Sequence, residues 1–328
     1  MSKKEKSACK LSIGGQALIE GIMMQGPEGA AVSVRCPDGT IDTESVKVKH
    51  AKDKIKFLGW PLIRGVVTYI ESMIFGYKCL MISAEKSGLD DIDTDDENAS
   101  KLDKWLSKHL NKKVMSVITG FASVVGVLLA FLLFFYLPTA SVNFLNKLAN
   151  EALTNYRAIF EGVIRMAIFV IYIALVSLMK DIKRTFMYHG AEHKTIFCYE
   201  NGLELTVENV KKQSRFHPRC GTSFIFVIII ISVIISSIIS VTTNLHSNNL
   251  LWMGVKLLIL PLVTGFSYEF IKYAGKHDNF LVKILAAPGL WMQRLTTKEP
   301  DDKMIEVAIA AFTAVLPDEE KDKAEDEA

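Results

Sequence analysis

Four stretches of this chain are too apolar to lie fully exposed to water, and they restrict its fold more than any other feature. They are residues 117–137, 159–179, 224–241 and 250–271. A helix of about 20 apolar residues crosses the hydrocarbon core of a bilayer, and it pairs its backbone polar groups within itself. The sequence therefore predicts a mainly α-helical, multi-pass membrane bundle of four spans or more.

The composition agrees with that class and argues against others. Hydrophobic residues make up 50% of the chain, and a formal net charge of +2 gives no reason to expect a nucleic acid as a partner. The five cysteines are scattered without a C-x-x-C pair, which is typical of a reducing compartment rather than of a disulfide framework. No apolar segment follows the basic N-terminus, so we expect no cleaved signal peptide.

The distribution of basic residues predicts how the spans are oriented. Residues 180–223 contain eight lysines and arginines, whereas residues 242–249 contain none. Loops rich in lysine and arginine stay in the cytoplasm. With four spans, this rule places residues 180–223 and both termini on the cytoplasmic side of the membrane.

The segments around the spans predict the remaining organisation. Residues 11–56 are expected to form a small cytoplasmic β-element with a turn at Pro37-Asp38-Gly39. Within it, "GGQALIEGIMMQGPEG" is predicted to be irregular or a bulged strand, because glycines stand at both ends. The other expected regions are a tail at 1–10, an acidic linker at 87–100, a transmembrane domain at 101–296 containing the loop 180–223, and a C-terminal helix and acidic tail at 297–328.

Residues 57–86 form an apolar segment of helical length with a regular polar pattern. Arg64, Glu71 and Lys78 recur every seven residues, so on a helix they form one polar stripe. Such a helix lies flat on the membrane surface, or it packs inside the bundle with its stripe facing a polar cavity. The sequence leaves both arrangements open.

The segment "YHGAEHK" carries the most specific chemical pattern in the chain. His189, Glu192 and His193 form an H-x-x-E-H motif, in which two histidines one helical turn apart can bind one metal ion. Glu192 would then serve as a general base. Gly190 weakens the helix, which is expected to continue from the second span to Asn201-Gly202. The alternative is two polar histidines at the headgroup level, with Glu192 in a salt bridge near Lys194.

A second group of metal-binding residue types lies just before the third span. "RFHPRCGTS" contains His217 and Cys220, and the predicted topology brings it to the same surface as the histidine pair. Nitrogen and thiolate ligands suit a divalent first-row metal such as zinc. The alternative is that His217 is a loop residue stiffened by Pro218, and that Cys220 is a small buried apolar residue.

Other charged residues are secondary candidates. Glu269 is either a further ligand or a polar anchor paired with Lys272, and Arg64 and Arg219 could hold an anionic headgroup or phosphate. Glu20 is a possible additional residue of the site. Glu161 and Arg165 are expected to neutralise each other as an i, i+4 pair.

Several motifs resemble those of a known family. They are "IGGQALIEGIMMQGP", "LIRGV", "YHGAEHKTIFCYENG", "FHPRCGTSF" and "APGLWMQRLTTKEPDD" followed by "IEVAI". In this order, from about Ile13 to Ala310, they resemble the YqhQ-like family of bacterial multi-pass membrane proteins, for which metal dependence has been suggested. The resemblance implies a bacterial plasma membrane location and supports His189, Glu192, His193, His217 and Cys220 as motif positions. It implies no substrate.

Three functions fit these observations. The first is a metal-dependent hydrolase acting on a lipid-linked or other membrane-borne substrate at the cytoplasmic face. The second is a non-catalytic transport, lipid-handling or assembly factor with a structural metal site. The third is a metal-free membrane scaffold that binds a protein partner of unknown identity. Three ligands with an open position would favour catalysis, and four closed ligands would favour a structural role.

Overall fold

The structure, a computed structural model, describes residues 13–27, 29–48, 50–51, 55–88, 112–218, 220–243, 248–274, 277 and 279–317. The predicted tail at 1–10 and nearly all of the acidic linker lie outside these residues. The chain divides into two compact units. The first comprises residues 1–89, 173–226 and 268–328, and the second comprises residues 90–172 and 227–267.

The described residues are mostly helical and form one small sheet near the N-terminus. The strands are β1 (Gly14–Leu18), β2 (Gly21–Gly26), β3 (Gly29–Arg35) and β4 (Ile41–Val46). The helices are α1 (Ile63–Lys86), α2 (Lys112–Phe131), α3 (Leu137–Leu148), α4 (Arg157–Val176), α5 (Lys180–Glu200), α6 (Val207–Lys211), α7 (Thr222–Thr242), α8 (Asn249–Leu258), α9 (Leu260–Ala274), α10 (Phe280–Thr296) and α11 (Asp302–Ala314). This arrangement confirms the predicted helical class with a small N-terminal β-element.

The sheet is an antiparallel meander in the order β1-β2-β3-β4. The predicted turn at Pro37-Asp38-Gly39 joins β3 to β4, and Asp38 accepts a hydrogen bond from the backbone N–H of Thr40 at 2.9 Å. The expectation of an irregular or bulged "GGQALIEGIMMQGPEG" is wrong. Its glycines belong to three regular strands, β1, β2 and the start of β3, in unbroken register. A tight turn in which Glu20 adopts a φ of +50° joins β1 to β2.

Both faces of the sheet are covered within the first unit. Ile22, Met24 and Ala31 face a buried cluster shared with α5 and α11. Alternate residues, such as Met23 and Val32, face a second cluster that includes Cys79 of α1. This alternation follows from the two-residue period of a strand. The sheet is therefore the middle layer between α1 on one side and the α5–α11 pair on the other.

Four helices in the described part of the chain are long and apolar enough to cross a membrane. They are Ile63–Lys86, Gly120–Leu148, Arg157–Val176 and Phe224–Thr242, and α8 with α9 would make a fifth if the bent pair forms one span. The predicted span at 250–271 is broken, since α8 and α9 bend by 43° at their junction. Pro261, in the first turn of α9, has no N–H to continue the hydrogen bonding of α8.

The segment that carries the histidine motif is a separate helix. We expected one helix to continue from the second span, and this prediction is wrong, because α4 ends at Val176 and α5 begins at Lys180. Met179 between them is extended, with a ψ of 135°. The predicted end at Asn201-Gly202 is confirmed: Gly202 adopts a φ of +66°, a conformation that glycine adopts without strain.

The predicted C-terminal helix is also confirmed. Asp301 caps α11 by accepting a hydrogen bond from the N–H of Met304 at 2.8 Å. Ile305, Ala308 and Phe312 are fully buried in the cluster shared with α5 and the sheet. The apolar side of α11 thus provides its packing face.

Candidate metal centre

The two motif histidines lie on one face of α5, as their i, i+4 spacing requires. The ring centroids of His189 and His193 are 4.4 Å apart. His193 is almost fully buried, with 1% of its surface exposed. The helix therefore presents two adjacent imidazoles toward the interior of the first unit.

Backbone carbonyl groups determine which ring nitrogen of each histidine carries a proton. Nδ1 of His189 lies 2.8 Å from the carbonyl oxygen of Thr296, and Nδ1 of His193 lies 2.6 Å from that of Arg215. A carbonyl oxygen can only accept a hydrogen bond, so each Nδ1 must donate. An imidazole that donates from Nδ1 in this way can present the lone pair of Nε2, which is the arrangement that outer carbonyl groups give to metal-binding histidines.

Cys220 completes a cluster with these two histidines. Its Sγ lies 3.3 Å from Nε2 of His189. One donor atom from each of His189, His193 and Cys220 lies within 4.8 Å of the other two, close enough to hold a metal ion. Nε2 of His193 is buried without a hydrogen-bond partner among the described residues, which is costly unless a ligand binds it. Two imidazoles and one thiol form a donor set that suits zinc.

His217 is not part of this three-residue cluster. Its Nε2 faces Glu200 at 3.5 Å, and its ring packs on Phe197 with centroids 4.5 Å apart. Burial, together with the neighbouring His193, lowers the pKa of His217 to about 4, so the ring is neutral at neutral pH. The geometry thus brings together three of the four predicted ligands and places the fourth beside them.

Gln293 of α10 fixes the loop that carries His217 and Cys220. Its side-chain oxygen accepts a hydrogen bond from the backbone N–H of His217 at 2.7 Å, and its amide nitrogen donates to the carbonyl of His217 at 2.7 Å. Gln293 is fully buried. Because Thr296, which holds His189, lies at the end of the same helix, α10 orients residues on both sides of the cluster.

Glu192 lies beside the cluster but does not belong to it. Burial raises the pKa of Glu192 to about 6, an effect partly offset by His189 and by a hydrogen bond from the backbone of Gly15. Its Oε2 is buried without a hydrogen-bond partner in the described part of the chain. Strand β1 approaches this carboxyl so closely that a Cβ on Gly15 would lie 2.9 Å from Cδ of Glu192.

The structure explains Gly190, whose presence weakened the helix prediction. A Cβ at this position would collide with the carbonyl oxygen of Lys298. The backbone of Lys298 also donates a hydrogen bond to the carbonyl of Phe186 at 2.8 Å. Gly190 therefore permits the segment after α10 to lie directly against α5. The sequence signal was a glycine inside a helical motif, which indicates a close approach of another backbone.

The secondary candidates have other partners. Arg64 and Glu269 form an ion pair with each other, with Nε and Oε1 2.6 Å apart. Glu20 pairs with Arg184 and accepts a hydrogen bond from the hydroxyl of Tyr188 at 3.1 Å, which anchors the β1–β2 turn to α5. Arg219 lies outside the described residues.

The remaining predicted charge pairs also differ in the structure. Lys194 pairs with Glu299 at 2.8 Å. The predicted pairing of Glu161 with Arg165 is wrong, because the buried carboxylate of Glu161 binds Arg157 at 3.1 Å and also Lys256. Lys256 comes from α8, which the sequence could not place beside α4.

Comparison with known proteins identifies the family. The profile of the family described as "Protein of unknown function (DUF1385)" matches residues 60–318. The "Uncharacterized protein YqhQ" of Bacillus subtilis (strain 168) is 36% identical over 309 residues, which cover 92% of this chain and 92% of that protein. The chain therefore belongs to this family of unknown function, and the resemblance seen in the motifs is confirmed. No solved structure matches the chain.

Proposed function

We propose that the chain is an integral membrane protein with a zinc-dependent hydrolase site at the cytoplasmic surface of the bacterial plasma membrane. The observation that carries this proposal is the geometry of His189, His193 and Cys220, whose donor atoms lie within 4.8 Å of one another. Carbonyl groups orient both Nε2 atoms toward metal binding. Three protein ligands leave a fourth tetrahedral position for water or substrate, which is typical of catalytic rather than structural zinc sites.

The proposal assigns a role to each residue of the site. His189, His193 and Cys220 would hold the ion, which supplies Lewis acidity to water or to a substrate oxygen. Glu192 would take the proton of the attacking water as the water oxygen bonds to the electrophilic carbon or phosphorus. The same carboxyl would then return that proton to the leaving oxygen or nitrogen. Its unpartnered Oε2 gives it a free acceptor for the first step.

The position of the cluster favours a membrane-borne substrate. Cys220 lies two residues before α7, whose residues Phe224–Thr242 have the highest mean hydropathy of the candidate spans, 3.1. A site at the end of such a helix lies at the membrane surface if the helix spans the bilayer. A substrate with a polar group at that depth and an apolar anchor would reach it from the lipid phase.

A hydrolase assay tests the catalytic part of the proposal. Purified protein would be loaded with zinc, reconstituted with a total bacterial lipid extract, and incubated before the lipids are analysed by mass spectrometry. We expect a hydrolysed lipid species with the wild type, and none with Glu192→Gln although this variant keeps its zinc. If wild-type protein with a full complement of zinc changes no lipid, the non-catalytic alternative with a structural metal site replaces the hydrolase.

The two hydrogen bonds between Gln293 and the backbone of His217 lead to a prediction about metal affinity. Gln293→Met keeps the volume of the side chain but removes both hydrogen bonds to the backbone of His217. We expect zinc affinity to fall about 10- to 100-fold, as for other outer-shell substitutions, because the loop that carries Cys220 is released. Competition with a zinc chelator measures the affinity.

Gln213→Met is the matched control for that variant. Gln213 accepts a hydrogen bond from Asn201 at 2.9 Å and donates one to the carbonyl of Asn209 at 3.0 Å, contacts that do not involve the cluster. We expect its zinc affinity to equal that of the wild type. Equal affinities for all three proteins would contradict a positioning role for Gln293.

A further inference from the structure

Helix α1 has two faces with opposite surroundings. Its buried residues Gly65, Gly76, Cys79 and Ser83 lie on the side that faces the rest of the first unit. The other side exposes five large apolar residues, each between 46% and 67% accessible: Ile70, Met73, Ile74, Tyr77 and Met81. Phe57 and Trp60, just before the helix, are also more than half exposed. A continuous apolar surface of this kind marks an interaction site.

The C-terminal half of α1 is attached to the sheet. The hydroxyl of Ser83 donates a hydrogen bond to the carbonyl of Ile19. Lys86 forms ion pairs with Asp42 at 2.9 Å and with Glu44 at 3.0 Å, two half-exposed carboxylates of β4. If this half of α1 lay in hydrocarbon, β4 would lie there too. An edge strand with charged side chains is excluded from the lipid core, because its outer backbone groups would lose their hydrogen bonds to water.

The N-terminal half of α1 is too short to cross a bilayer alone. At 1.5 Å per residue, the part from Ile63 to Phe75 is about 20 Å long, whereas the hydrocarbon core is about 30 Å thick. This half also contains Glu71, which accepts a hydrogen bond from the backbone N–H of Ala51 at 2.6 Å. The segment before the helix is thus hydrogen-bonded to the middle of α1. The composition of α1 would permit it to span a membrane, but these contacts would not.

Two contacts place this half beside the ends of other apolar helices. The ring of Tyr69 packs against Phe224, at the start of α7, with centroids 5.9 Å apart. Arg64 pairs with Glu269, in the last two turns of α9. If α7 and α9 enter the membrane, their ends mark the level of the bilayer surface, and α1 lies at that level.

We propose that α1 lies in the plane of the bilayer interface, with its exposed apolar face in the lipid and the sheet on its other side. We assign lipid to this face because it combines aromatic residues that have polar tips with basic residues. Trp60 and Tyr77 are residue types of membrane interfaces, and the exposed Lys56 and Lys78 suit anionic headgroups. The proposal rests on the membrane location proposed above, and it removes α1 from the set of spans.

A topology experiment tests whether α1 crosses the membrane. Short epitopes would be inserted after Gly39 and, separately, after Gly88 in the full-length chain, and antibody access would be measured in sealed right-side-out and inside-out vesicles. We expect both epitopes to react in the same vesicle type. Epitopes on opposite sides would overturn the proposal. Extraction with sodium carbonate separates the membrane location of the protein from the interfacial position of α1. Release of the protein by carbonate would contradict the membrane location itself.

Photo-crosslinking tests what covers the exposed face. A benzophenone amino acid would replace Ile74 or Tyr77 in full-length protein in lipid nanodiscs, with Leu80, which packs toward the sheet, as the matched control position. We expect crosslinks to phospholipid from positions 74 and 77, and a yield at least about 10-fold lower from position 80. A crosslink from positions 74 and 77 to a second copy of the chain in place of lipid would overturn the proposal.

Discussion

Replacing His193 by alanine is expected to reduce the zinc content of the purified protein from about one ion per chain to background. His193 supplies one of three donor atoms within 4.8 Å of one another, and its buried Nε2 has no hydrogen-bond partner among the described residues. Two remaining donors form a site too weak to survive purification. Inductively coupled plasma mass spectrometry measures the ratio of metal to protein.

His277→Ala is the matched control for this loss. His277 is exposed and bonds to the carbonyl of Tyr273 at 3.0 Å, so its removal should leave the zinc content unchanged. Full zinc content in His193→Ala would show that the metal binds elsewhere. Loss of zinc in both variants would point to non-specific binding by histidines.

Replacing Gly190 by alanine is expected to destabilise the protein, although alanine favours helices by about 1 kcal/mol over glycine. The added Cβ collides with the carbonyl oxygen of Lys298, a backbone atom that cannot rotate away. Overpacking costs about 1–3 kcal/mol, and a collision with a backbone atom lies at the upper end of that range, so the expected net loss is about 2 kcal/mol. The effect is measured as a lower melting temperature of the purified protein in detergent.

Gly254→Ala separates the collision from the helix preference. Gly254 also lies within a helix, α8, but no described neighbour comes within 4 Å of a Cβ placed there. This variant should melt at the wild-type temperature or above it. If Gly190→Ala behaves like Gly254→Ala, the segment after α10 does not lie against α5 as the structure shows.

The sequence predicts local elements well where their cause is local. The turn at Asp38-Gly39 and the helix end at Gly202 each depend on the conformational preferences of one or two residues. The break between Val176 and Lys180 was missed because no proline or glycine marks it. The β1–β2 turn was missed because a glutamate, Glu20, adopts a positive φ that this residue type rarely does.

The predictions about side-chain pairs fail where the partner comes from a distant segment. Helical spacing predicts Arg165 as the partner of Glu161, but Glu161 binds Arg157 of the same helix and Lys256 of the distant α8. The sequence leaves Glu269 either as a further ligand or as a polar anchor paired with Lys272, and the structure pairs it with Arg64. Tertiary packing decides which cation lies nearest to each of these carboxylates, and spacing along one helix does not contain that information.

At the candidate site, too, the sequence predicts the local feature and misses the contact with a distant segment. The i, i+4 spacing of His189 and His193 is a local property, and the sequence identifies the pair correctly as neighbours. Cys220 rather than His217 completes the cluster with the two histidines, and Gln293 of α10 holds the backbone of His217. No pattern near residue 293 indicates that contact.

X-ray absorption spectroscopy at the zinc edge, on purified full-length protein, tests the proposed site most directly. We predict two nitrogen neighbours at about 2.0–2.1 Å, one sulfur at about 2.3 Å and one further light atom, since these are the distances of histidine and cysteine ligands to zinc. The sulfur signal should disappear in Cys220→Ser. A spectrum without sulfur, or a wild-type protein that binds no zinc, would contradict the metal centre and the hydrolase proposed from it.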